Sequence, residues 1–249
     1  MKNLAGKYAI VTGAGKGIGE AIARRFVEEE AAGVAILEWD IDLAEKTAKA
    51  LDPTGKKVIA VKCDVSNSDQ VKEAVDAVVA AFGRVDILVN NAGITRDRIF
   101  HKMTDAEWHA VINVNLNGVY NLCKFVVPMM REQQSGSIIN ISSTSLMGNP
   151  GQANYAATKA ALQGFTRTLA KELGPKNVRM NCIAPGHIRT DMMLAVGEDK
   201  LNRAINTIIP MRRLGEPEEI ASVVAFLAGE DASWVTGQTI FVSGGGAVN

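Results

Sequence analysis

Tyr155 and Lys159 stand four residues apart in a helix-like stretch, which sets them one turn apart on one face. A phenol loses its proton near pH 10, so ionising it at neutral pH costs about 4 kcal/mol. A neighbouring ammonium favours the phenolate and lowers that cost. Such a pair can give a proton to an alkoxide or take one from an alcohol. Interconversion of a ketone and a secondary alcohol needs that proton step beside a hydride transfer. A hydroxyl that polarises the carbonyl completes the set, in the manner of an oxyanion donor. The run Ser142-Ser143-Thr144-Ser145 follows the apolar segment 138–141 and offers two such hydroxyls.

Hydride chemistry needs a donor, and the start of the chain offers a place for one. The apolar run 8–11 ends in Thr12-Gly13-Ala14-Gly15-Lys16-Gly17-Ile18-Gly19, and a helical pattern follows at once. Glycines let the backbone turn sharply against a pyrophosphate. A helix N-terminus adds free N–H groups and partial positive charge. Because position 18 is Ile, the spacing is G-x-x-x-G-x-G and not G-x-G-x-x-G. The next strand ends at Glu38, where a dinucleotide fold places its ribose ligand, about 20 residues past the glycines. Glu38 can accept hydrogen bonds from the ribose hydroxyls and would repel a 2′-phosphate by a few kcal/mol, on the order expected at intermediate dielectric. That predicts NAD over NADP. Lys16 argues the other way, since a basic residue in the turn can reach a 2′-phosphate. Glu38 weighs more, because it removes space as well as charge balance.

These groups are far apart in sequence, so a scaffold must bring residues 13–19, 38, 142–143 and 155–159 together. The chain alternates short apolar runs with longer helical patterns. Strands are expected at 8–11, 34–37, 58–61, 86–89, 138–141, 178–183 and 239–242. Helices are expected after the glycine turn, near 43–51, at 68–82, around Trp108 to Val119, and near 152–173 and 217–228. Continuous apolar strands are buried on both faces. Their alternation with helices predicts an α/β protein: a single-domain, Rossmann-type, doubly wound parallel sheet with helices on both faces, over residues 1–249. The weakest-patterned stretch, 186–215, is expected to form a substrate lid. Its Met192, Met193, Leu194, Ile205, Ile208, Ile209 and Met211 suit either a greasy substrate or packing against the body.

Thr12-Gly-(x)3-Gly-x-Gly19, Asn90-Asn-Ala-Gly93, Tyr155-x-x-x-Lys159 and Pro185-Gly186 occur in that order, and Thr236-Gly-Gln-(x)4-Ser-Gly-Gly245 closes the series. Together they resemble the short-chain dehydrogenase/reductase family over essentially the whole chain. The segments 90–97 (NNAGITRD) and 148–159 (GNPGQANYAATK) look most like 3-oxoacyl-[acyl-carrier-protein] reductases. The resemblance implies that Gly13, Gly17 and Gly19 line the pyrophosphate, with Gly15, Lys16 and Ile18 in the same turn. Asp64 and Val65 then edge the adenine, and Asn91, Ala92 and Gly93 pack beside the cofactor. Ile188 and Thr190, after Pro185-Gly186, hold the nicotinamide carboxamide, and Lys159 binds the nicotinamide ribose. Asn115 matches the residue that holds a water in the proton relay. A homotetramer through the helices near 104–133 and 152–174 is also implied. Two family rules disagree on the serine. Thirteen residues before the Tyr is Ser142, whereas the second Ser of the strand end is Ser143. Side chains alternate along a strand, and a register slip costs more than a shortened loop, which favours Ser143 and leaves Ser142 as runner-up.

Three functions follow. The first is reduction of 3-oxoacyl thioesters, the second is oxidation of another secondary alcohol such as a sterol, polyol or cyclic alcohol, and the third is redox sensing without turnover. The intact Ser, Tyr and Lys positions disfavour the third, and Glu38 lowers the first because carrier-protein reductases more often use NADP. An acyl carrier protein is acidic and would want a basic patch; Lys124, Arg131, Lys171 and Lys176 could form one, but ordinary solvated helix faces are the preferred reading of them. Lys+Arg equals Asp+Glu at 27 each, so no general nucleic-acid surface is expected. No apolar stretch has a membrane span's length, which disfavours a membrane partner. Cys63, Cys123 and Cys182 fit neither a disulfide framework nor a zinc site, and His101, His109 and His187 lack ligand spacing, so no metal and a cytoplasmic location are expected.

Overall fold

The computed structural model describes residues 3–247. Seven parallel strands form one sheet in the order β3-β2-β1-β4-β5-β6-β7. They are β1 (Tyr8–Thr12), β2 (Gly33–Glu38), β3 (Val58–Lys62), β4 (Ile87–Asn90), β5 (Gly136–Ile141), β6 (Val178–Pro185) and β7 (Thr239–Val242). Val34, Ala35, Ile36 and Leu37 in β2, and Leu88 and Val89 in β4, are completely buried. This is the environment that continuous apolar strands require, and the reason their runs lack polar alternation.

One helical layer comprises α1 (Gly17–Glu28), α2 (Ile41–Leu51) and, after the stretch 186–215, α9 (Pro217–Ala228). Its buried face joins Ala21, Ile22, Phe26, Ala44, Ile220 and Val224 to the sheet. The opposite layer holds α3 (Ser68–Phe82), α4 (Asp105–Ile112), α5 (Gly118–Gln133) and α6 (Ala153–Leu173). There Val71, Val78, Leu122, Val126, Met130 and Leu162 pack on the other sheet face. Local chemistry fixes the helix starts. Asp40 accepts a hydrogen bond from Leu43 N at 3.2 Å, and Asn67 caps α3 through Asp69 N and Gln70 N. Thr104 and Glu107 form a capping box at α4.

The chain runs outward from β1 to β3, then returns to place β4 on the other side of β1. That reversal opens a crevice at the carboxyl ends of β1 and β4, the usual ligand position in doubly wound sheets. Two features depart from expectation. A π-helical turn, Asn113–Asn117, separates α4 from α5 where one long helical region is expected. The stretch 186–215 contains two short helices, α7 (Asp191–Leu194) and α8 (Glu198–Thr207). A parallel bridge between Ile188 and Gly215 closes its neck. Leu201, Ile209 and Leu214, with Met193 and Ile205, form a small apolar cluster of their own. Met192, Leu194, Ile208 and Met211 remain exposed.

Among the described residues, no helix is long and apolar enough to cross a membrane. All three cysteines are buried and unbonded to one another.

Candidate active site

The glycine turn is built by backbone freedom and by close packing. Gly13 and Gly17 have φ of 62° and 61°, which L side chains rarely adopt. A side chain on Gly13 would also lie 2.8 Å from Ala92 Cα. Gly19 is buried beneath the turn, against the Gly13 carbonyl and the Asn91 amide, and Ile18 packs into the core layer. The segment Asn90-Asn-Ala-Gly93 fastens the turn from below. Asn91 Nδ2 donates to the carbonyls of Thr12 and Gly13, each at 2.9 Å. Thr12 Oγ1 accepts from the N–H groups of Asn91 and Ala92, each at 3.0 Å. Lys16 occupies the N-cap position of α1 and its side chain makes no capping hydrogen bond, so the first-turn N–H groups are left uncapped by a side chain. A cradle of bare backbone at a helix N-terminus fits a pyrophosphate.

Glu38 stands over this turn. Its Oε2 accepts from Gly15 N at 3.1 Å and its Oε1 from Trp39 N at 3.0 Å. Lys16 instead reaches toward the stretch 186–215 and pairs with Asp191 at 3.0 Å. Asp64 accepts from Ser66 N at 2.9 Å and Ser66 Oγ at 2.7 Å, which turns the chain into α3. Val65, Thr12, Ala92 and Val114 line one small cavity below the crevice. Across it, β6 ends at Pro185, and Gly186 lies so close to Ser243 that a side chain would meet its Cα at 2.8 Å. Ile188 is buried where the stretch 186–215 begins. Thr190 caps α7 and faces Gly17, within ordinary contact distance of a side chain built there.

At the next strand end the proton-handling groups meet. Lys159 is 3% exposed, and its Nζ donates to Ile141 O at 2.7 Å. The ammonium lies 5.4 Å from the centre of the Tyr155 ring. Burial pulls the Lys159 pKa from 10.5 down to about 8. Burial likewise pushes the Tyr155 phenol up. A hydrogen bond with the Ser143 hydroxyl opposes that rise and the Asp97 charge adds to it. Burial thus works against the phenolate that a neighbouring ammonium would favour, and the phenol lies above its ordinary value of 10.

The two serines separate cleanly by face. Ser143 begins a 3-10 turn, Thr144–Met147, and its Oγ accepts from Ser145 N at 3.1 Å while reaching the Tyr155 hydroxyl. Ser142 is buried, and its Oγ donates to Lys159 O at 2.7 Å. Asn115 lies completely buried in the π turn. Its side chain accepts from Ile94 N at 2.9 Å and donates to Ile94 O at 3.0 Å. A side chain on Gly93 would sit 3.4 Å from Asn115 Oδ1 and 3.6 Å from Lys159 Nζ, so Gly93 keeps that corner open.

Sequence reasoning missed several supporting groups. Asn90 Nδ2 donates to Asn140 Oδ1 at 2.8 Å, and Asn140 Nδ2 donates to Thr166 Oγ1 at 2.9 Å. This buried chain ties β4 and β5 to the helix that carries Tyr155 and Lys159. The signal was an Asn inside the apolar run 138–141, since a buried amide demands partners. Asn154 caps the Tyr155 N–H at 2.8 Å and holds the carbonyls of Arg96 and Glu107. The alternative of ordinary solvated helix faces fits three of the four basic residues. Arg131, Lys171 and Lys176 lie near the ends of α5 and α6, where Asn177 meets the Gln134 carbonyl at 3.3 Å. That is the edge from which β5 and β6 start, opposite the crevice. Leu122, Val126 and Met130 of α5 are buried in this chain's own core, leaving Tyr120 as the large exposed apolar side chain on that helix.

The family model described as enoyl-(acyl carrier protein) reductase matches residues 13–247. A 3-oxoacyl-[acyl-carrier-protein] reductase of Thermotoga maritima is 46% identical over 245 residues, covering 97% of this chain and 98% of the relative. Enzymes of the same name from Staphylococcus epidermidis, 45% identical over 96% of this chain and 98% of theirs, and Chlamydia trachomatis, 44% identical over 97% and 98%, are similarly close. The glycine turn, the crevice and the Ser–Tyr–Lys cluster thus recur in a chain alike from end to end with these reductases: it belongs to the short-chain dehydrogenase/reductase family and is an oxidoreductase of that family.

Proposed function

We propose that this chain reduces 3-oxoacyl thioesters to 3-hydroxyacyl thioesters with NADH, the acyl group being carried on an acyl carrier. The contact between the Ser143 and Tyr155 hydroxyls, one turn above buried Lys159, carries the reading. Two hydroxyl groups converging at one point suit a carbonyl oxygen, which gains negative charge as it is reduced. A nicotinamide dinucleotide in the crevice supplies the hydride. Ser143 donates to the carbonyl oxygen and orients it. Tyr155, kept protonated by burial, gives its proton to that oxygen as the charge develops. Lys159 spends one N–H on Ile141 O and keeps its others for the ribose hydroxyls and the phenol. Its positive charge stabilises the phenolate that remains after the proton has left. Asn115 holds the 94–115 corner in place for a relay water.

NAD over NADP rests on Glu38, whose carboxylate is anchored by two backbone N–H groups above the turn. The pairing of Lys16 with Asp191 supports this, because it turns that cation toward the lid. Under this reading 186–215 is a substrate lid within a single domain, and the enzyme is a cytoplasmic homotetramer. Half-exposed Tyr120 on α5 supports an interface there, and light scattering should return four times the 26.6 kDa chain mass.

The test is a turnover screen with NADH and NADPH over acetoacetyl thioester, crotonyl thioester, sterols and polyols. Acetoacetyl thioester with NADH should be the preferred pair. Turnover of crotonyl thioester alone would assign the chain to double-bond reduction, and turnover of sterols or polyols alone would assign it to another alcohol.

A further inference from the structure

We propose that Asn154 is the positioning residue for the proton donor: it ties the first turn of α6, and Tyr155 with it, to the segment 94–98 that leaves β4 at the crevice. The inference rests on the reading of Tyr155 as the group that protonates the carbonyl oxygen, and deepens it.

Asparagine suits a helix interior poorly, because its side chain competes for backbone hydrogen bonds, but it suits a first turn. Asn154 is the second residue of α6 and is completely buried. Gln152, at the N-cap, makes no side-chain capping bond. The Tyr155 N–H is one of the donors that a helix start leaves without an intrahelical partner. Asn154 Oδ1 accepts from it at 2.8 Å. The other end of the same amide faces away from α6. Asn154 Nδ2 donates to Arg96 O at 3.1 Å and to Glu107 O at 3.2 Å. One buried side chain therefore joins the start of α6, the segment 94–98 and α4. Two further ties run beside it. Arg98 N donates to Gly151 O, and Gln152 Nε2 donates to the Asp97 carboxylate, each at 2.8 Å.

Tyr155 and Lys159 are held from different sides. The end of β5 fixes Lys159: its Nζ donates to Ile141 O, and its carbonyl accepts from Ser142 Oγ, each at 2.7 Å. The Tyr155 backbone is bracketed by Asn154 at its N–H and by Thr158, whose Oγ1 donates to its carbonyl at 2.7 Å. Asn115 clamps the segment 94–98 at Ile94, and Asn154 clamps it two residues on, at Arg96. Loss of the second clamp frees the turn that carries the phenol and leaves the anchors of Lys159 in place. The phenol then loses its register with the Ser143 hydroxyl. A misplacement of about 1 Å costs a reaction on the order of 10²-fold. Cofactor binding, which depends on Lys159 and the glycine turn, is spared.

Asn154→Ala removes all three bonds. Asn154→Asp keeps the shape and the acceptor for Tyr155 N but gives up at least one of the two donations, and it decides alone if the alanine variant does not fold. Both variants should lower kcat by about 10-fold or more, with NADH affinity within about 2-fold of wild type. The solvent deuterium isotope effect on kcat should rise above the wild-type value, because delivery of the proton becomes the slow step. Ser137→Ala controls for a lost buried hydrogen bond as such. Ser137 Oγ donates to Leu227 O at 3.0 Å at the start of β5, the end of the sheet away from the crevice. That variant should unfold more easily than wild type and keep its kcat and isotope effect. Wild-type kcat in Asn154→Asp, or a fall in kcat matched by an equal loss of NADH affinity with an unchanged isotope effect, would overturn the proposal. Each value is a ratio to wild type on the ketone that the wild type turns over best, so an error in the substrate class shows in the substrate screen and not in these ratios.

Discussion

Replacing Lys159 by methionine should stabilise the fold at pH 7 while removing turnover. Lys159 is 3% exposed, and burial lowers its pKa from 10.5 to about 8. At about 1.4 kcal/mol per pH unit, holding the charge there costs roughly 3 kcal/mol relative to the unfolded chain. Methionine fills a similar volume without a charge. It forfeits the hydrogen bond to Ile141 O, and leaving that carbonyl unpaired costs about 1–2 kcal/mol. The balance is a gain of about 1–2 kcal/mol at pH 7. The sign of the pH dependence separates this from a packing effect. Below about 8 both states of the wild type hold the proton, and the full cost is present. Between about 8 and 10.5 the unfolded chain binds the proton and the folded one does not, so wild-type stability rises with pH. The methionine advantage should shrink by about 2 kcal/mol between pH 7 and pH 9.5. Urea unfolding at equal protomer concentration measures both values, since any subunit assembly adds its own concentration dependence. A variant less stable than wild type at pH 7, or a difference that does not change with pH, would refute the reasoning.

The two serines should respond differently to alanine. Ser143→Ala should lose on the order of 10²-fold in turnover. Ser142→Ala should keep most of its turnover but unfold about 1–2 kcal/mol more easily, because the Lys159 carbonyl loses its donor; the opposite ranking in paired kinetic and urea measurements would reverse their roles. Titration should find NADH bound on the order of 10²-fold more tightly than NADPH, from a repulsion of a few kcal/mol at Glu38. Glu38→Ser should narrow that gap, with Lys62 in register beside the position; a wild type that already favours NADPH contradicts the argument. Ketone reduction should fall along an alkaline limb near pH 8 as Lys159 loses its proton, while the raised phenol stays protonated. A limb found only above pH 10 would remove the Lys159 charge from the mechanism.

Much of the scaffold could be read from residue types because its signals are local. Buried parallel strands carry uninterrupted apolar runs, and Asn67 with Gly83, or Pro217 at a first turn, mark helix ends within one residue. Strand alternation says that only one of the two serines can face the site; the family's strand pattern and the low cost of a shortened loop point to Ser143, and Ser142 turns to the Lys159 backbone. What escaped depends on contacts between distant segments. The stretch 186–215 reads as weakly patterned because a bridge between its two ends, Ile188 and Gly215, and the pairing of Asp191 with distant Lys16 organise it. The π turn at Asn113–Asn117 has the same residue types as an α-helix and differs only in hydrogen-bond register. The spacing of Tyr155 and Lys159 announces a pair, but it says nothing of how deeply both are buried. Desolvation then decides which protonation state each one holds. Arg131, Lys171 and Lys176 look like one patch beside the crevice only until the return path of α5 and α6 is known.

The central claim is that Tyr155 delivers the proton to a carbonyl oxygen held by Ser143. Tyr155→Phe keeps the ring and removes the hydroxyl proton, so it isolates that step. Steady-state reduction of acetoacetyl thioester by NADH should fall by at least about 10²-fold in this variant, with NADH affinity nearly unchanged. Turnover within a few fold of wild type would mean that another group supplies the proton, and the account of this site would be wrong.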